Sequence, residues 1–328
     1  MYNEDIKREF IQTITTRSRQ EAAIRLFKAS EEVEVNNNAD LYTMDQETVL
    51  KILKSLSGVR SSGCRVFNTI ANNYSEWCIK KSFSGTQKWN IKTIEPSLEK
   101  VRKQSVANPE HLQKYLDCVF EPECNLSSSN IWRCYFWLAY SGMSETDALL
   151  VKDKEVDLFN MVVKHNSREY PIYEEGIEAF KNCVEMKELV CIRNDDIVYT
   201  KSRGIGDILL RTRGEFRTPE SLRIKVSTYT RDPRFKSKEE MIKYGLDIRL
   251  SYKRALMSGM FYRMYEAEKI GIPPDTNSIA ADLFDMNPKN NVVSEKDRRK
   301  RIATMANYYK RDYEIWKSIY AYISLTDD

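Results

Sequence analysis

Along the first 80 positions apolar residues recur at intervals of three and four, the pattern of helices that each bury one stripe. Ile6, Phe10, Ile11 and Ile14, then Ala22, Ile24, Leu26 and Phe27, predict two helices within residues 3–31, separated by a Thr/Arg/Ser stretch and ended by the polar run EVNNNAD. Asp45 fits the N-cap of a helix through Leu56, with Val49, Leu50, Ile52 and Leu53 on its apolar face, and Ser57-Gly58 stops it. Ser61-Ser62-Gly63 then opens a longer helix to about Lys81, with Val66, Phe67, Ile70, Tyr74, Trp77 and Cys78 turned inward. The opposite face carries Arg65, Asn68, Thr69, Asn72, Asn73 and Lys80, with Glu76 the only acid. Such a face suits a DNA groove, and an ordinary exposed helix face has the same composition.

The stretch KSFSGTQKWN has the small and polar composition of a connection. We therefore expect an N-terminal helical domain over 1–82, a linker over 83–104 and a larger domain over 105–328. Asn108-Pro109 starts a helix through Phe120, and IWRCYFWLAY at 131–140 is apolar on nearly every side, as a helix enclosed in a core must be. Gly142 follows at a tight bend and is expected to tolerate no larger residue. Asp157–Lys164 and Glu169–Tyr173 can pair as a hairpin across His165-Asn166-Ser167. From about Leu209 the pattern is again helical, and Ser294 with Asp297 three positions on opens a closing helix. The expected fold class is mostly α with a small β-sheet, with no internal repeat.

Composition narrows the function classes. Charged residues are 30 % and hydrophobic ones 41 %, enough apolar surface to fold. No run approaches the roughly 18 apolar residues that cross a bilayer, and the charged start MYNEDIKREF does not resemble a signal peptide. The expectation is a soluble cytoplasmic protein with no membrane partner. Seven cysteines lie without CxxC pairs beside only two histidines, which points to reduced thiols and away from a zinc site. RGIGD at 203–207 lacks the remainder of a nucleotide-binding glycine loop, and neither His111 nor His165 stands beside a nucleophile, so no cofactor, metal or hydrolase chemistry is expected. The net charge is only +4, yet residues 211–238 hold nine Lys/Arg against three Asp/Glu, a local +6 suited either to phosphates or to solvent.

YSGMSETDALLVKDKEVD at 140–157 resembles the tyrosine recombinase (phage integrase) segment written TGLR, two residues, Glu, then an apolar run closing on a hydrophobic-Asp pair. Ser141-Gly142-Met143 fit the TGL, Asp147 the Glu, and Val156-Asp157 the close. The preceding apolar helix, the hairpin with Pro171-Ile172 and the N-terminal four-helix unit also resemble that family, which implies a core-binding domain followed by a catalytic-like α+β domain. The departures fall on the chemistry. The arginine that grips the scissile phosphate is replaced by Ser144. For the family's His-x-x-Arg, TPESLRIKV offers Glu220 and Arg223, while LSYKRALMSGM, preferred for its spacing, offers Tyr252 and Ala255 with Arg254 one place out. Asp285 stands in an LFD turn where the family places His or Trp. Lys164 is a nominal hairpin lysine, and Tyr308, Tyr309 or Tyr313 a nominal nucleophile.

Phosphodiester attack needs cations around the nonbridging oxygens, and losing one preorganised charge stabiliser costs about 3–4 kcal/mol. Losing several together is expected to abolish turnover, whereas DNA affinity is spread over many phosphate contacts. The resemblance therefore implies a double-stranded DNA-binding repressor that maintains phage lysogeny without recombining, acting at operator sites on the host nucleoid, with an unidentified regulatory protein or peptide as a further partner. Candidate contacts are Arg60, Arg65, Asn68, Thr69 and Asn72 on the small domain, with Lys164, Arg223, Lys225 and Arg254 on the large one. A divergent active integrase and a helical protein–protein adaptor are the alternatives.

Overall fold

The structure is a computed structural model that describes residues 1–58, 60–92, 94–102, 105–120, 127–192, 198–202, 206–211, 250–286, 290 and 292–323. The chain divides into two compact units, one of residues 1–101 with 307–315, the other of residues 102–306 with 316–328.

Unit 1 is built on α1 (Glu4–Gln12), α2 (Arg17–Asn37), α3 (Gln46–Leu56) and α4 (Ser61–Lys80). Asp45 caps α3, its carboxylate accepting from Thr48 N at 2.9 Å. The four helices bury Phe10, Leu26, Phe27, Val49, Leu53, Phe67 and Tyr74. Tyr74 lies edge-on to Phe10 and Phe27, with ring centres 5.1 and 4.8 Å away. One ion pair is sealed inside: Lys7 Nζ stands 2.5 and 2.6 Å from the two Glu34 oxygens, which also accept from Ser30 Oγ and Leu41 N. Those added bonds make a buried pair of charges tolerable.

Trp89, Ile91 and Ile94, from the stretch expected as a linker, lie instead against these helices and join the core. Trp89 Nε1 donates to Met44 O at 2.9 Å. α5 (Leu98–Arg102) follows. Val66, expected inward, lies on the outer face of α4 at 36 % exposure.

Unit 2 is organised around α7 (Ser127–Tyr140), in which every side chain from Cys134 to Tyr140 is buried. α6 (Pro109–Val119), capped by Asn108, packs into the same core, as do α9 (Ile177–Glu185) and α10 (Tyr252–Lys269). Gly259 lets α10 approach α7: a Cβ there would lie 1.8 Å from Tyr140 O. α7 ends as a Schellman motif, with Gly142 N donating to Ala139 O and Met143 N to Leu138 O. Gly142 adopts φ +101°, the left-handed region that glycine enters without steric cost. The short helix α8 (Glu145–Ala148) comes next.

The predicted hairpin is a three-stranded antiparallel sheet, because the first run breaks into β1 (Val156–Asp157) and β2 (Val162–His165) before β3 (Arg168–Pro171). Lys164 pairs with Glu169 and His165 with Arg168 across a two-residue turn, Asn166-Ser167, whose positive φ values (49° and 60°) match the strand twist. A second hairpin, β4 (Glu188–Ile192) with β5 (Val198–Ser202), has no counterpart in the sequence reading. α11 (Thr276–Asp285) and α12 (Glu295–Ile323) complete the fold; Asp285 ends a helix rather than sitting in a turn. Ser294 opens α12 as expected, accepting from Asp297 N at 3.2 Å. The architecture is mostly helical with a small sheet, as the sequence implied. Among the described residues no helix is long and apolar enough to cross a membrane.

Candidate nucleic-acid interface and recombinase-like centre

In unit 1 the outer face of α4 forms one wall of a groove. Ser62, Arg65, Thr69, Asn73, Glu76 and Lys80 recur along it at helical spacing, while Thr13 and Thr15 line it from the α1–α2 connection and Arg19 from the first turn of α2. Arg19, Arg65 and Lys80 against the single acid Glu76 leave this surface cationic. Arg65 is exposed, and its Nη1 donates to Tyr308 Oη at 2.6 Å. Arg60, half-buried, is the residue before α4.

Two of the expected contacts are spent inside the unit. Asn68 is only 3 % exposed; in the amide orientation that suits its neighbours it donates to Cys64 O and accepts from Ile94 N. Asn72 donates to Ile91 O at 3.0 Å and accepts from Ile91 N at 3.1 Å. The segment that holds Trp89, Ile91 and Ile94 thus covers the edge of α4 where both asparagines lie. Thr69 remains in the groove, although its hydroxyl donates back to Arg65 O. Asn73 and Lys80, neighbours on the same face, are better placed than Asn68 and Asn72, and Arg19, Thr13 and Thr15 add a wall that no single-helix projection could supply.

In unit 2 the positions that match the recombinase motif come together, with different chemistry. Ser144 caps α8: its Oγ donates to Asp147 Oδ2 at 2.7 Å and accepts from Asp147 N. Tyr252 is buried, and its Oη, directed at Met143 O and Ser144 O, lies 3.0 and 3.2 Å from them. Burial pushes its hydroxyl well above the usual tyrosine range, reinforced by Tyr135 and the carboxylates Glu145 and Asp147. The other candidate window, TPESLRIKV, with Glu220, Arg223 and Lys225, lies outside the described residues. Ala255, one turn on, is fully buried.

His165, Lys164 and Asp285 each lie against a charged partner. His165 is 6 % exposed, with Nδ1 3.0 Å from Glu155 Oε2 and Nε2 4.0 Å from Asp147 Oδ1. Lys164 reaches Asp157 at 3.1 Å, and Asp285 pairs with Arg298 at 2.7 Å. The hydrogen bonds from Asn160 and Lys164 pull the Asp157 carboxyl down to about 2. Arg254 sits half-buried in the first turn of α10. Tyr313 is 1 % exposed, and burial raises the half-buried Tyr309 hydroxyl above the usual tyrosine range. Tyr308, Tyr309 and Tyr313 all group with unit 1.

Residues 1–80 match the family described as MrpR, N-terminal core-binding domain. That match supports the integrase/tyrosine recombinase-like family and suggests DNA as the partner of this unit. No curated protein matches the chain. The matched stretch contains all of α1 to α4, including every groove residue except Tyr308.

Proposed function

We propose that this protein is a sequence-specific double-stranded DNA-binding repressor that maintains the lysogeny of a temperate phage and lacks recombinase activity. Within the recombinase family its resemblance is to the master repressor of SPbeta-like Bacillus phages, an integrase-like protein that keeps a prophage silent. The observation that carries the reading is Ser144: where the family grips a phosphate with an arginine, this chain has a helix-capping hydroxyl bonded to the Asp147 carboxylate. A serine hydroxyl offers no positive charge to a scissile phosphate, and the buried Tyr252 hydroxyl is committed to main-chain carbonyls. The cationic groove on α4 is independent of that loss, because duplex affinity comes from phosphate neutralisation spread over many side chains.

The test is to select duplex fragments of a phage-bearing bacterial genome with the purified full-length protein at 150 mM salt and sequence them. One short motif recurring at several promoters is the expected result. Recovery of a single attachment-like locus would favour an integrase, and no enrichment would favour an adaptor.

A further inference from the structure

Among the described residues, Arg65 is the groove cation that has a held geometry. Its Nη1 donates to Tyr308 Oη at 2.6 Å, and its guanidinium carbon lies 5.9 Å from the centre of the Tyr308 ring. Among the described residues no carboxylate pairs with Arg65, in contrast to Arg8, Arg17, Lys51 and Arg299, which each have an acid one helical turn away. One donor is used and four remain.

The Tyr308 segment is itself fixed in register. Asp312, one turn beyond Tyr308, is 9 % exposed, and its Oδ1 accepts from Ser61 N at 2.9 Å and Ser61 Oγ at 2.7 Å. Ser61 lies one turn before Arg65, so two contacts at matching helical spacing, 308 to 65 and 312 to 61, set the tyrosine against the arginine. All four residues belong to unit 1.

We propose that Tyr308 is a positioning residue for sequence recognition, holding the Arg65 guanidinium so that its free edge reads a base in the major groove. This rests on the DNA-binding reading above and adds a division of labour within the groove. Attraction of a cation to a phosphate is nearly independent of orientation, and Arg19 and Lys80 can supply it. Bidentate reading of guanine O6 and N7 is directional and gains from a guanidinium already restrained. A neutral hydroxyl as the restraint leaves the arginine's charge intact and places no negative charge beside DNA. A tyrosine near the end of the chain, where the family keeps its nucleophile, thus serves recognition instead of chemistry.

The test is selection from a randomised 30-base-pair duplex pool by full-length wild type, Tyr308→Phe, Arg65→Lys and Arg65→Ala, with melting curves for each. Wild type should return a motif. Arg65→Ala and Arg65→Lys should lose preference at the same base pair by about tenfold or more. Tyr308→Phe should lose it there by about threefold to tenfold, with affinity for the unselected pool changed less than twofold and melting near wild type, because the ring is retained. Tyr308→Phe returning the undiminished wild-type motif, or any Arg65 variant weakening all duplexes alike, would overturn the proposal. If Tyr308→Phe melts early, the two Arg65 variants, altered at an exposed position, still decide whether Arg65 reads a base, and Tyr308→His, with a ring acceptor, should restore discrimination if holding Arg65 is its role. A wild type that selects nothing would instead refute the DNA-binding reading itself.

Discussion

Gly259 and Gly142 separate two reasons for needing glycine. At Gly259 the obstacle is main chain, since an added Cβ would meet Tyr140 O at 1.8 Å, and α10 and α7 would have to part. At Gly142 the obstacle is the backbone angle together with the movable Arg263 guanidinium, 2.5 Å from an added Cβ, whose Nη1 donates to Tyr140 O. Gly142→Ala should cost about 1–2 kcal/mol, and Gly259→Ala about 3 kcal/mol or more. Urea unfolding measures both, and a Gly259→Ala protein as stable as wild type would contradict the close approach. Gly142 is legible from its motif, whereas Gly259 reads as one more small residue in an apolar helix until its partner is known.

Asp312 makes a pH prediction at the same scale. Burial raises its carboxyl, opposed by the two hydrogen bonds from Ser61 and by Arg60. Between the ordinary aspartate range and this raised value the folded state holds more protons than the unfolded one, so stability contributed here falls as pH rises. Asp312→Asn should therefore shrink the difference in unfolding free energy between pH 4 and pH 6. An unchanged difference would show that the carboxyl is not desolvated.

At the scale of elements, α1 is tied to α2 by a charged bond inside an apolar unit. Lys7→Met leaves Glu34 buried without its cation and should cost about 3–5 kcal/mol, whereas Lys7→Met with Glu34→Leu should recover much of that loss. Equal stability of the single and double variants would mean that the lone carboxylate escapes to water. α1 to α4 and α7 follow from periodicity because that signal is local, although α2 runs on to Asn37, through half of the polar run expected to end it. The face that α4 presents does not, since it depends on Trp89, Ile91 and Ile94, which sit in a stretch whose polar composition reads as a linker. β4 and β5 were legible in principle from their β-branched residues on either side of a polar stretch. The bond from Arg65 to Tyr308 spans 243 positions, and no pattern along a chain encodes it.

For the molecule as a whole, the groove on α4 and the Ser144–Tyr252 contact belong to different units. Unit 1 carries a cationic groove within the stretch that matches a core-binding domain, and in unit 2 the Tyr252 hydroxyl lies against the Met143 and Ser144 carbonyls. The basic block at 211–238 lies almost wholly outside the described residues, so its contribution to binding is open to mutation rather than to geometry. Binding that neutralises six or more phosphates should lose about a thousandfold in affinity between 50 and 200 mM salt. A salt-independent affinity would point to a protein partner instead.

The most direct measurement is to incubate the full-length protein with nicked duplexes carrying its selected motif and resolve the products with and without detergent. A repressor without recombinase chemistry forms a sequence-specific complex that detergent disperses completely, leaving the DNA strands as they were. A detergent-resistant protein–DNA adduct, abolished by changing Tyr308, Tyr309 or Tyr313 to Phe, would contradict it and restore this chain to the working recombinases.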